Sequence, residues 1–161
     1  MFRIEPLSST HNRQAFSCGT EALDQYIKKQ AGQDVRRRAA ACFVAVDQEG
    51  GALAGYYTLS AGGVPLPDLP DELTKRLPRY PLVPVARLGR LAVDKAYQGQ
   101  KLGAALLWDA ATRAARSEVM AFALIVDAKD EKAEDFYLHH GFILLQPRLL
   151  MLPLARINDK P

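Results

Sequence analysis

Leu88-Gly89-Arg90-Leu91-Ala92-Val93-Asp94, followed beyond Lys95-Ala96 by Tyr97-Gln98-Gly99-Gln100-Lys101-Leu102-Gly103-Ala104, is where an extended run gives way to a glycine-containing turn and then to helical periodicity. Upstream, Val83 to Val93 reads as a strand. Downstream, Leu102 to Arg116 reads as a helix with Leu102, Leu106, Ala110 and Ala114 on one stripe. Val119 to Val126 is an almost unbroken apolar run, the pattern expected of a strand covered on both faces. Together they predict a βαβ unit. A strand that runs into a turn and then a helix gathers unpaired backbone N–H groups and the positive end of the helix dipole at one point. That is a site for a pyrophosphate. Two other phosphate-binding loops fit poorly: neither the Gly-Lys-Ser/Thr of a P-loop nor three glycines at dinucleotide-fold offsets is present.

Outward from this unit, Asp130 can cap a second helix through Phe136 and Tyr137 that stops at Gly141, and Phe142 to Leu145 and Leu149 to Leu154 are β-rich runs broken at Pro147. Toward the N-terminus, Phe2 to Leu7 reads as a short strand. Thr20 can cap a helix to about Gln30, with Leu23, Tyr26, Ile27 and Ala31 at helical spacing. Ala40 to Val46 and Ala52 to Ala61, joined through Asp47-Gln48-Glu49-Gly50-Gly51, predict an antiparallel hairpin. Pro65, Pro67, Pro70, Pro78, Pro81 and Pro84 then punctuate a segment with room for one short helix near Asp71 to Leu77, read as a long functional loop within the domain.

With 161 residues and 48% hydrophobic content, residues 1–161 are expected to form a single domain with a proper core. No stretch approaches the ~20 apolar residues that span a bilayer. Met1 to Pro6 carries Arg3 and Glu5 in place of a basic-then-apolar leader, so a cytoplasmic location without membrane attachment is expected. Cys18 and Cys42 lack metal-ligand spacing and are read as structural thiols, and no metal is expected. The net charge is +3, with basic residues bunched at Arg36-Arg37-Arg38, at Lys75, Arg76 and Arg79, and at Arg87 and Arg90. Such clusters suit either a polyanionic partner or a solvated face.

At this point the motifs resemble a known family. Gln98 to Gly103 resembles the pyrophosphate loop of the GNAT acetyltransferases, written Arg/Gln-x-x-Gly-x-Gly/Ala, and Phe136-Tyr137-x-x-x-Gly141-Phe142 resembles that family's helix-to-strand ending. Cys18-Gly19 ahead of Leu23-Asp24, Gly55-Tyr56-Tyr57-Thr58-Leu59-Ser60, Leu77-Pro78-Arg79-Tyr80-Pro81, the Leu88 to Asp94 stretch and Val126-Asp127-Ala128 resemble one branch, the GNAT toxins of bacterial toxin-antitoxin pairs. The resemblance covers nearly the whole chain. One departure is plain: Lys101 stands where the loop usually has its first glycine. A lysine there either reaches a phosphate oxygen or crowds a backbone that needs positive φ.

The resemblance implies the GNAT fold, an α/β arrangement with a mixed, largely antiparallel sheet flanked by helices, and acetyl-CoA wedged where two central strands splay. Acetyl-CoA would be held by Leu91, Ala92 and Val93 along its pantetheine arm, by Gln98, Gly99, Gln100, Lys101, Leu102, Gly103 and Ala104 at its pyrophosphate, and by Phe136. Tyr137 would be catalytic, protonating the departing thiolate. His139 and His140 are neighbours about 100° apart on a helix, so they cannot both share its face; they are read as surface or helix-end residues. The toxin branch acetylates the α-amine of the amino acid on charged tRNA, and Arg79, Arg87 and Arg90 would hold the acceptor stem, with Arg36 to Arg38 as a second contact. A bulge near Gly89 would bring Arg87 and Arg90 to one face of their strand. A homodimer and a small DNA-binding antitoxin are the implied partners. The alternatives are a GNAT acting on a small-molecule or protein amine, and a non-catalytic acyl-CoA-binding regulatory module.

Overall fold

Strand β4 (Leu82–Val93) and helix α4 (Leu102–Arg116) form where the apolar patterns place them, and Leu102, Leu106, Ala110 and Ala114 are all buried on the helix's inner face. The structure is a computed structural model and describes residues 1–75 and 77–158; Arg76 of the second basic cluster lies outside the described residues. The remaining strands are β1 (Phe2–Pro6), β2 (Ala41–Asp47), β3 (Leu53–Pro65), β5 (Ala123–Asp127), β6 (Ile143–Gln146) and β7 (Leu149–Pro153). The sheet runs β1-β2-β3-β4-β5-β7-β6. Its pairs β1/β2, β2/β3, β5/β7 and β6/β7 are antiparallel, while β4/β5 is parallel, as a strand–helix–strand crossover requires.

The chain divides into two compact units, residues 1–60 with 89–110 and residues 61–88 with 111–161. In the first, α1 (Glu21–Gln25), a π-helical turn Tyr26–Gln30 and α2 (Ala31–Arg36) lay Tyr26, Ile27 and Ala31 against Val44, Val46, Tyr56 and Ala92. The β2/β3 hairpin closes through Gly51 at φ 76, whose N–H donates to the Asp47 carbonyl at 2.7 Å. Gly55 permits a close approach: a Cβ there would lie 2.9 Å from both the Ala92 carbonyl oxygen and Leu106 Cδ1. In the second unit, Val64, Leu69, Val83, Val85, Ala123, Ile125 and Met151 form the core, and α3 (Asp71–Thr74), α5 (Glu131–His139) and α6 (Ala155–Asn158) complete it.

Four expectations are corrected. The strand expected from Val119 begins only at Ala123, because strand neighbours become available there: Ala123 pairs with Val85 and with Pro153, while Val119 and Met120 are each 79% exposed in the connection from α4. The helix expected to end near Gln30 continues to Arg36. The Ala31 N–H reaches back to the Tyr26 carbonyl, and the extra residue of that π turn keeps Tyr26, Ile27 and Ala31 all facing inward. Thr20 occupies the N-cap position, but its hydroxyl makes no capping bond. The proline-rich segment is shorter than its prolines suggest, since β3 runs on to Pro65 and tolerates proline at its end.

Candidate active site

The turn ahead of α4 is built from side chains that tie down backbone. Asp94 follows β4 and accepts from Ala96 N–H at 2.9 Å and Ser17 N–H at 2.9 Å. The Gln98 side-chain amide donates to the Val93 carbonyl at 2.9 Å and the Cys18 carbonyl at 3.0 Å. Gln98 thus fastens the loop to the end of β4 and to the Cys18 segment. Gly99 at φ 83 and Lys101 at φ 64, on either side of Gln100, turn the chain into the helix. Leu102 is buried, whereas Gln98, Gly99, Gln100 and Lys101 are exposed. The Ala105 N–H donates to the Lys101 carbonyl at 3.2 Å, so the amides of Leu102, Gly103 and Ala104 precede the first bond of this register and form the donor-rich end of α4. These groups fit a pyrophosphate.

The upstream strand fits an extended amide chain. The ladder between β4 and β5 runs from Val85↔Ala123 to Leu88↔Val126, and β4 continues beyond it through Leu91, Ala92 and Val93. Ala92 is buried; Leu91 and Val93 are half-buried. At Gly89 a Cβ would lie 2.9 Å from the Thr58 hydroxyl oxygen, so glycine is the residue that lets the strand pass this buried threonine.

Tyr137 sits in the last turn of α5, and its position follows from how that helix ends. Asp130 caps the start, accepting from Ala133 N–H at 2.8 Å. At the other end Gly141 adopts φ 92, its N–H donates to Leu138 at 3.1 Å, and the Phe142 N–H donates to the Tyr137 carbonyl at 3.1 Å. This is a Schellman closure, with the accompanying apolar contact supplied by the Tyr137 and Phe142 rings at 5.3 Å. Phe136 packs edge-on against Tyr137 at 5.2 Å. Burial pushes the Tyr137 phenol above its ordinary value, which keeps the proton on at neutral pH. Among the described residues no hydrogen bond engages its hydroxyl, and the hydroxyl is not a fully buried unpartnered atom. His139 is exposed, and His140, packed edge-on against Phe136 with ring centroids 4.7 Å apart, has its pKa lowered by burial and by His139.

The arginines are engaged differently. Arg79 is exposed, beside Tyr80 at 65% exposure, in the segment leading to β4. Arg87 pairs with Asp127 at the end of β5. Arg90 lays its guanidinium over the Tyr26 ring, 3.6 Å from the centroid, and the Tyr26 hydroxyl donates to Asp34 at 2.7 Å. Buried positions in β4 run Val83, Val85, then Leu88 and Ala92, so the two-residue alternation slips before Gly89. Arg36, Arg37 and Arg38 are exposed, with Arg38 at φ 61. Burial pushes the Cys42 thiol up to about 12, which suits a packing role.

Sequence reasoning assigned no functional role to Asp127, Tyr26 or Glu134, and placed Tyr26 only on the helical stripe with Leu23, Ile27 and Ala31. Asp127 lay within a quoted motif, but its partner Arg87 is distant in sequence and came together with it only on folding.

Residues 5–142 match the acetyltransferase (GNAT) family model. A tRNA-acetylating toxin of Mycobacterium tuberculosis (strain ATCC 25618 / H37Rv) is 35% identical over 138 residues, covering 84% of this chain and 81% of that protein. The structure of AtaT complexed with acetyl-methionyl-tRNAfMet is similar at a TM-score of 0.90 and 28% identity, covering 98% of each chain. A tyrosine-to-phenylalanine mutant of the AtaT toxin, bound to the C-terminus of the antitoxin AtaR and acetyl-CoA, is similar at a TM-score of 0.82 and 28% identity, covering 98% of this chain and 96% of the other.

Proposed function

Since this chain belongs to the acetyltransferase (GNAT) family, we propose that it transfers the acetyl group of acetyl-CoA to the α-amine of the amino acid on charged tRNA, and so acts as a toxin that blocks translation. The observation that carries this reading is Tyr137, a phenol kept protonated by burial with its hydroxyl unengaged by any described residue. It is supported by the tRNA-acetylating toxin that resembles this chain, and by the AtaT structures holding acetyl-methionyl-tRNA and acetyl-CoA.

In this mechanism the backbone of Leu91, Ala92 and Val93 binds the pantetheine amides as an added strand would. The amides of Leu102, Gly103 and Ala104 hold the pyrophosphate with help from the Lys101 charge, on a loop kept in shape by Gln98, Gly99 and Gln100; Phe136 packs beside the thioester end. The amine nitrogen attacks the thioester carbonyl, the C–N bond forms and the C–S bond breaks. Tyr137 gives its proton to the departing sulfur, a contribution of ~10²- to 10⁴-fold. The proton shed by the amine passes to solvent, from which the phenolate recovers its own. A free α-amine has a pKa of roughly 7.7 to 8.0, lowered further by the adjacent ester, so no strong base is demanded. Arg79, Arg87 and Arg90 bind acceptor-stem phosphates, with Arg36 to Arg38 as a second contact. The reading includes one acetyltransferase domain over residues 1–161, a cytoplasmic homodimer and a small DNA-binding antitoxin; AtaT bound to the antitoxin AtaR, and the AtaT-AtaR complex bound to DNA, support the last.

The test is transfer of labelled acetyl from acetyl-CoA to a total charged tRNA pool, with deacylated tRNA as control. Label is expected on charged tRNA alone, leaving with the amino acid on mild alkaline treatment. Tight acetyl-CoA binding with no label on tRNA, but label on small or protein amines, would transfer the assignment to such an acceptor.

A further inference from the structure

Arg148, in the turn between β6 and β7, holds φ 68, a left-handed conformation that costs a non-glycine residue about 1–2 kcal/mol. Such an outlier asks what the side chain contributes. The Arg148 backbone N–H and its Nη1 both donate to one oxygen, Glu134 Oε2, each at 3.0 Å. The Arg148 carbonyl meanwhile accepts the Ala128 N–H at 2.8 Å, just past the end of β5. One residue therefore fastens the β6/β7 turn to α5 and to the segment that leads from β5 into α5. A glycine would carry the same backbone without strain but would lose the guanidinium bond.

Glu134 is the matching half of this latch. Its side chain is 16% exposed, so its charge-assisted bonds are partly shielded from water, and it stands one helical turn before Tyr137 on the same short helix. The far end of α5 is fixed by the Schellman bonds through Gly141 and Phe142, so the helix is held on both sides of the phenol. We propose that Glu134, through Arg148, is a positioning residue for the acetyl-transfer step: it fixes the register of α5 on the β6/β7 turn and thereby the place of the Tyr137 hydroxyl. The inference rests on Tyr137 being the proton donor. Glu134 itself touches no reacting atom.

The test is kinetic, on the full chain with charged tRNA, in the presence and absence of Tyr137→Phe. Glu134→Ala removes both bonds and is expected to lower kcat by about 10²-fold, the scale of a misplacement near 1 Å, while KM for acetyl-CoA stays within about threefold. Glu134→Gln keeps an acceptor for the Arg148 N–H and is expected to recover most of that loss. In a Tyr137→Phe background Glu134→Ala should cost little more, because the group it positions is gone. An equal loss from Glu134→Ala in both backgrounds overturns the inference while leaving Tyr137 as the acid. A Tyr137→Phe variant with full kcat removes the acid assignment first, and the positioning role with it. Should Glu134→Ala fail to fold, Arg148→Gly removes the guanidinium bond together with the left-handed strain, and a kcat loss confined to the Tyr137 background is again the expected result, with an equal loss in both backgrounds, or none, overturning it.

Discussion

Two helix ends carry the groups assigned to catalysis and pyrophosphate binding, and each is turned by a residue in the left-handed region: Lys101 at φ 64 ahead of α4, and Gly141 at φ 92 after α5. At Gly141 the conformation is free of steric cost, and the closure it permits pins the Tyr137 carbonyl and ring. At Lys101 a side chain occupies the same kind of position at a cost of about 1–2 kcal/mol. That loop is nevertheless held, by the two carbonyl bonds from Gln98 and by the burial of Leu102. The difference separates two design problems. On the proposed roles, the catalytic end would need one atom fixed in space and uses the residue that turns most easily, while the pyrophosphate end would need a charge beside the amides that start α4 and tolerates strain to place it.

The largest effect expected from this contrast is at the catalytic end. Tyr137→Phe keeps the ring packing against Phe136 and Phe142 and removes the proposed proton donor, so kcat should fall ~10²- to 10⁴-fold with KM for acetyl-CoA little changed. The pH profile adds a sign. Burial raises the phenol's folded pKa, so the acid stays loaded as pH climbs past the ordinary tyrosine value of about 10. The rate should rise as the α-amine loses its proton and then level off, with no descending limb below about pH 9. A descending limb there would give the acid role to another group.

Next in size is the closure itself. Gly141→Ala forces a Cβ into the left-handed region with no neighbour within 4 Å to clash, so the cost is conformational alone, about 1–2 kcal/mol by urea unfolding. Lys101→Ala exchanges one non-glycine residue for another and should leave the urea midpoint nearly in place. If the two substitutions destabilise equally, the difference between the ends is not one of backbone strain.

These same positions mark how far the sequence could be read. The α5 stop was legible because glycine after a capped helical run is a strong signal, and α4 because its stripe of Leu102, Leu106, Ala110 and Ala114 has one period throughout. Lys101 carries no turn signal of its own; the family pattern alone marked it as standing in for a glycine. Val119 and Met120 misled because hydrophobicity without a pairing partner does not make a strand, and partners begin at Ala123. The π turn at Tyr26 escaped because inserting one residue into a helix leaves no compositional trace. Of the candidate site, Tyr137, the loop and the arginines could be named from motifs, whereas Asp127 on Arg87, Tyr26 beneath Arg90 and Glu134 on Arg148 depend on contacts between segments that only the fold brings together.

The smallest effect, and the one that bears most directly on the comparison, is expected of Lys101→Gly. Glycine relieves the left-handed strain of about 1–2 kcal/mol but enters with a larger entropy loss on folding, about 0.5–1 kcal/mol, which offsets part of that gain, so the urea midpoint should rise slightly. What the substitution removes is a positive charge, exposed and one residue ahead of the amides at the start of α4. An exposed charge pair of this kind is worth about 0.2–1 kcal/mol, up to a few-fold in Kd, and is screened by salt. Titration of acetyl-CoA should therefore give a Kd weakened by about two- to fivefold at low salt, with the gap from the parent protein closing as salt rises. Tighter binding by the glycine variant would mean that the lysine obstructs the loop, and that the strain at φ 64 has no return in cofactor affinity.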